Sequence, residues 1–111
     1  MFCEDFQENA FSLVIGDTLN KTFEINGVDN FLIKSVHFIC NDLKINQSLS
    51  KKEGDNNDWL LFIPSQITKD FTPKSTDYDI KIIFIDDSLY TATYRKKFNI
   101  KLNKNHYESG D

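Results

Sequence analysis

The chain has 111 residues, enough for one hydrophobic core and too few for two. A formal net charge of −4 spread over both signs speaks against general nucleic-acid binding, which needs a concentrated positive field on phosphates. A hydrophobic fraction of 40% argues against disorder, and ten phenylalanines beside one methionine and one tryptophan point to a core of aromatic and β-branched packing.

Residues 1–10 read as a polar lead-in without the basic and apolar regions of a signal peptide, and no stretch is long and apolar enough to span a membrane. The expectation is a soluble protein made in a cytoplasm, with something other than an N-terminal signal carrying it if it ends up outside a cell. Phe11 to Ile15 is a short strand ending in the turn signal Gly16-Asp17. Leu19 to Ile25 alternates Leu19, Phe23 and Ile25 against Asn20, Thr22 and Glu24, and Asn26-Gly27 opens a loop that runs on through Asp29-Asn30. Phe31 to Cys40 is the third strand, with Val36, Phe38 and Cys40 on one face and Ser35, His37 and Ile39 on the other.

Leu43 and Ile45 extend that edge or dress a connection. A short strand at Gln47 to Lys51 then meets the most polar loop, Glu53-Gly54-Asp55-Asn56-Asn57-Asp58. Trp59 to Ile63 is an unbroken apolar run, as expected of a central sandwich strand with Trp59 in the core. Pro64 starts a helical turn that places Ile67 and Phe71 four apart, so that both plug one end of the sandwich. The clearest signal is the hairpin from Tyr78 to Ile100. Tyr78, Ile80, Ile82 and Phe84 alternate with Asp79, Lys81 and Ile83, and Asp86-Asp87-Ser88 supplies the turn. The return strand puts Tyr90, Ala92, Tyr94, Phe98 and Ile100 on the core face, and residues 103–111 form a polar tail. The basic run Arg95-Lys96-Lys97 lies on this strand, Arg95 and Lys97 on one face and Lys96 on the other, as a solvated surface. About seven strands with turn residues between them and no long helix predict an all-β, antiparallel immunoglobulin-like sandwich over residues 11–102.

Residue-level chemistry is sparse. Asp55, Asn56, Asn57 and Asp58 carry oxygen ligands but lack the alternation and downstream glutamate of a calcium loop, so they read as a hairpin loop and a contact surface. His37 and Cys40, three apart on a strand, fall on opposite faces and cannot pair as base and nucleophile. Cys3 and Cys40 lack metal-ligand spacing; Cys40 reads as a buried free thiol, and a bridge to Cys3 stays open. The four glycines form neither a phosphate loop nor a nucleophile turn. The expectation is a non-enzymatic protein with no catalytic, cofactor or metal residues.

Two strands carry a second apolar set: Ile83 and Ile85 opposite the core residues of the hairpin, and Leu60 and Phe62 opposite Trp59, Leu61 and Ile63. A strand with one wet face does not need it. Either loops and the N-terminal segment cover these residues or another subunit does, and Leu60, Phe62, Ile83 and Ile85 are the expected self-association patch.

An ordered string of residues carries a resemblance. It comprises Gly16-Asp17-Thr18-Leu19, Ser35-Val36-His37-Phe38, Leu61-Phe62-Ile63-Pro64, Ile67-Thr68, Phe71, Pro73, Tyr78-Asp79-Ile80, Asp86-Asp87, Tyr90-Thr91 and Phe98-Asn99-Ile100. Together these are similar to the small immunoglobulin-like sandwich of tailed-bacteriophage and prophage structural proteins, including the N-terminal domain of baseplate upper proteins. The similarity covers roughly Gly16 to Lys101; Lys74 stands where that family usually has a glycine. It implies a structural or assembly module of a tail, baseplate or decoration protein, partnered by itself and other virion proteins, located in the virion or in the host cytoplasm during assembly. The alternative is a small acidic protein that inhibits a host protein through Asp55–Asp58. A carbohydrate-binding sandwich ranks last, because Tyr78, Tyr90 and Tyr94 are placed on the core face.

Overall fold

In the computed structural model, which describes residues 10–102, eight strands form two sheets. In chain order these are β1 (Phe11–Val14), β2 (Leu19–Glu24), β3 (Ile33–Cys40), β4 (Ile45–Ser48), β5 (Ser50–Lys51), β6 (Asp58–Ile63), β7 (Lys74–Phe84) and β8 (Leu89–Lys101). One helical turn, α1 (Ser65–Thr68), follows β6. The five-stranded sheet has the order β1-β8-β7-β3-β4 and the smaller sheet the order β2-β6-β5. The arrangement is that of an immunoglobulin-like sandwich, B-E-D in one sheet and G-F-C-C′ in the other, with β1 added beside G. Every pairing is antiparallel except that β1 runs parallel to β8, Phe11 opposite Phe98. The crossing between sheets is abrupt. The predicted strand at Gln47 to Lys51 is two strands, β4 in one sheet and β5 in the other, hinged at buried Leu49, whose N–H donates to Val36 O at 2.8 Å.

Alternation produces the core. Leu19, Phe23 and Ile25, then Val36, Phe38 and Cys40, then Trp59, Leu61 and Ile63, then Tyr78, Ile80 and Ile82, and finally Phe98 and Ile100 point inwards and are buried. Phe38 lies within an aromatic cluster, with Tyr78 at 5.2 Å, Phe98 at 5.6 Å edge-on, Phe11 at 6.1 Å and Phe23 at 6.5 Å. Two irregularities adjust the ladders. Between Ile33 and Ser35 the β3–β7 register shifts by one, which turns Ile33 inward despite its odd position. Between Tyr94 and Phe98, three β8 residues oppose Asp77 alone. Lys96 there takes a left-handed φ of 57° and donates its N–H to Asp77 Oδ1 at 2.8 Å. Two extra residues leave the parity unchanged, so Phe98 and Ile100 return to the core face.

Several expectations are corrected. The third strand begins at Ile33, not Phe31, because Asn30–Leu32 forms a 3-10 turn in which the Asp29 carboxylate accepts from Phe31 N–H at 3.0 Å. Asn41–Leu43 is a second such turn, closed by Lys44 at φ 57°. Ile67 is exposed, and the residue of α1 that plugs the sandwich is Thr68, whose hydroxyl donates to Asp17 O at 2.7 Å and so ties α1 to the β1–β2 turn. Tyr90 lies near the hairpin tip beyond the core and is 58% exposed, whereas Tyr94 packs against the core by stacking on Tyr78 at 4.9 Å. Cys40 is buried and free, its thiol donating to Asp77 O at 3.5 Å, while Cys3 lies outside the described residues. No helix among the described residues is long and apolar enough to cross a membrane.

Candidate functional site

One end of the sandwich collects three connections. β2 ends with Glu24 paired to Asp58, the first residue of β6, and Ile25 N–H donates to Asn57 O at 2.9 Å. That brings the β2–β3 loop (residues 25–32) beside the β5–β6 loop (residues 52–57). β3 begins with Ile33 opposite Phe84, the last residue of β7, and Ile85 N–H donates to Leu32 O at 2.9 Å. The β7–β8 turn (residues 85–88) therefore joins the same end.

Asparagines fix the loops to the frame. Trp59 Nε1 donates to Asn30 Oδ1 at 2.8 Å, and Asn30 Nδ2 donates to Ile25 O at 3.0 Å, so one amide closes the β2–β3 loop over the buried indole. Asn57 Nδ2 reaches Asn26 Oδ1 at 3.1 Å, and Asn56 Oδ1 accepts from Asp58 N–H at 3.0 Å and from Lys51 Nζ at 3.1 Å. Gly27 opens this end at a left-handed φ of 87°, a conformation that favours glycine. At the hairpin turn Asp86 accepts from Ser88 N–H and Ser88 hydroxyl, and these bonds hold its carboxyl below the usual carboxylate range.

The loops turn apolar side chains outwards. Of nine exposed large apolar residues among the described residues, six stand at or next to this end: Val28, Phe31, Leu32, Ile85, Leu89 and Tyr90. Phe31 is 91% exposed and Ile85 60%. The Asn30 and Asp29 contacts that fold the β2–β3 loop are what force Phe31 outwards. An ion pair between Lys34 and Asp87 at 3.1 Å rims the surface. Exposed apolar side chains beside an ion pair, on loops hydrogen-bonded to the frame, are suited to docking another protein.

The residues picked from sequence divide across this geometry. Asp55, Asn56, Asn57 and Asp58 lie at the loop end, and Ile85 is exposed at the same end. Ile83 lies on the outer face of the five-stranded sheet, half-buried between Ser35 and Leu89. Leu60 and Phe62 lie on the outer face of the three-stranded sheet, where Phe62 is 47% exposed. The four residues therefore do not make one patch, because the sandwich thickness separates the two pairs. The sequence pattern does not mark Phe31, Leu32, Leu89 and Tyr90 as surface, since an apolar residue at a strand end reads as core. Their signal was the Asp29-Asn30 and Asp86-Asp87 turn chemistry directly beside them.

Two other features are accounted for by structure. His37 sits on the outer sheet face between Ser35 Oγ at 3.1 Å and Ser48 Oγ at 3.4 Å, across the sheet from Cys40. Burial pushes the Cys40 thiol pKa up. A cleft of about 310 Å³ beside the β8 bulge is lined by Asp42, Asp77 and Asp79 among others. Two of those carboxylates serve the fold: Asp42 accepts from Thr76 hydroxyl, and Asp77 accepts from Lys96 N–H. Among the described residues no group of three or more His, Cys, Asp or Glu is placed to hold a metal ion. No protein-family model matches the chain, and a search of curated proteins returns no match.

Proposed function

We propose that this chain is a non-enzymatic assembly module of a bacteriophage or prophage particle, a tail, baseplate or decoration component that works by protein–protein contact. The observation that carries the contact role is the gathering of six exposed apolar side chains at the loop end, with Phe31 the most exposed of them. Loops held on a stiff sandwich are a favourable place for binding residues. The phage assignment rests on the resemblance, whose residues run through β6, α1 and the β7–β8 hairpin. Neighbouring particle proteins are the partners on this reading, and the virion, or the host cytoplasm during assembly, is the place.

Particles purified from the organism that encodes the chain test this reading by quantitative peptide mass spectrometry. The chain is expected in the particle fraction at a fixed ratio to a capsid or tail protein. Its absence there, with a host protein recovered on it instead, would overturn the assembly role in favour of a host-protein inhibitor acting through the Asp55–Asp58 end.

A further inference from the structure

Among the described residues, the edge of the five-stranded sheet is only partly covered. β1 pairs with β8 from Phe98 to Lys101, so over residues 89–95 the β8 ladder has β7 alone as its neighbour among the described residues. The phase of the ladder follows from the hairpin turn. Phe84 N–H donates to Ser88 O at 2.9 Å, while Ile85 N–H donates to Leu32 O at 2.9 Å on the β3 side. Alternation then turns the backbone groups of Ile82, Ile80 and Tyr78 towards β8, where Tyr90, Ala92 and Tyr94 stand opposite. The N–H and C=O groups of Leu89, Thr91, Thr93 and Arg95 point outwards from the sheet.

Native proteins blunt such edges with lysine, proline or a bulge. The run Leu89-Tyr90-Thr91-Ala92-Thr93-Tyr94 has no charge and no proline, and the bulge at Lys96 begins only beyond it. Other edges are shorter or charged: β4 has four residues, β5 has two, and β2 carries Lys21 and Glu24. The run is also flanked by opposite charges, Asp86-Asp87 before it and Arg95-Lys96-Lys97 after it. Two copies laid antiparallel bring the acidic end of each against the basic end of the other, whereas a parallel arrangement opposes like charges.

We propose that the Leu89–Arg95 edge is a self-association site that takes the same edge of a second copy, antiparallel, to give a two-fold dimer with one continuous sheet of five strands from each copy. The register centres on Ala92, which faces Ala92 of the second copy. Thr91 then faces Thr93 as a hydrogen-bonded pair, Tyr90 faces Tyr94, and Leu89 faces Arg95. This forms about eight new backbone hydrogen bonds and places Thr–Thr and aromatic pairs across the junction. The site goes beyond the loop-end reading: it shares Leu89 and Tyr90 with that end but works through the β8 backbone, and it stands or falls with the purified protein whether or not the chain enters a particle.

Size-exclusion chromatography with light scattering, from micromolar to millimolar concentration, is expected to show twice the 12.9 kDa chain mass. Thr93→Pro removes an outward N–H and no β7–β8 bond, so it should weaken the dimer at least tenfold while the circular dichroism stays native. Should that variant fold poorly, Lys97→Glu leaves the ladder intact and should weaken the dimer by opposing the acidic turn of the second copy. The register has its own readout in a Cys3→Ser background: Ala92→Cys should cross-link across the two-fold on oxidation, and Thr91→Cys alone should not. A monomer at all concentrations, which would leave the edge to a segment of the chain itself, overturns the proposal. So does a dimer that both folded edge variants leave unchanged.

Discussion

Two phenylalanines in consecutive stretches of the chain should behave in opposite ways. Phe38 is fully buried and lies within 5.2–6.5 Å of four aromatic rings. Truncating a buried phenylalanine to alanine costs about 3–5 kcal/mol, the transfer of the ring plus the cavity it leaves. Four lost ring pairs, each worth about 0.5–1.5 kcal/mol beyond burial, push Phe38→Ala to the top of that range. Phe31 is 91% exposed, so Phe31→Ala should stay within about 0.5 kcal/mol of the parent. Urea unfolding reads both. At a slope of about 2 kcal/mol per molar, Phe38→Ala should lower the midpoint by about 2.5 M and Phe31→Ala should leave it in place. A loss above about 1.5 kcal/mol for Phe31→Ala would mean that the side chain packs in the folded state, and it would remove the ground for calling it an interaction residue. A loss below about 2 kcal/mol for Phe38→Ala would refute the aromatic cluster as the centre of the core.

Further outcomes follow from single contacts. Thr68→Val keeps the volume of a buried side chain and deletes the hydroxyl bond to Asp17 O, so it should cost about 1 kcal/mol in the same urea assay. The hydroxyl of Thr76, and then the charge of Lys74, hold Asp42 below its ordinary pKa of 3.8. A carboxylate with a depressed native pKa adds stability above its unfolded value and loses it as pH falls through the native one. The destabilisation of Asp42→Asn, measured by urea midpoints, should therefore be present at neutral pH and close in acid below pH 3.8. In a Cys3→Ser background, the buried Cys40 should resist a thiol reagent in buffer and react fully in denaturant, with one thiol titrated per chain.

Much of the fold was legible because period-2 alternation records which face of a strand is buried, and the β7–β8 hairpin keeps it over its whole length. The β8 bulge left that record intact because it adds two residues, which hides Lys96 from any pattern reading but returns Phe98 to the core. The bulge before Ser35 adds one residue and reverses parity, so Ile33 is core for a reason alternation does not carry. Phe31 and Tyr90 were misplaced for a common physical cause: apolar character says that a side chain gains from burial, not that the chain is long enough there to reach the core. Whether Phe31 turns in or out depends on Asn30 capping the Trp59 indole, a contact 29 residues away in sequence. The acidic loop was placed as a contact surface from composition alone, but its neighbours at the same end come from topology, which the sequence does not spell out locally. The patch of Leu60, Phe62, Ile83 and Ile85 failed to assemble because the strand pattern shows that two faces are apolar without showing that they lie on opposite sides of the sandwich.

The central claim, that the loop end is the surface by which this chain joins a particle, is tested most directly by particle incorporation of a double variant, Phe31→Asp with Ile85→Asp. Parent and variant are expressed in the producing host, the variant is checked for a native urea midpoint, and the chain is quantified in purified particles. The account predicts that the parent is incorporated and that the folded variant is lost from the particle at least tenfold. Incorporation of the folded variant at the parent level would contradict it.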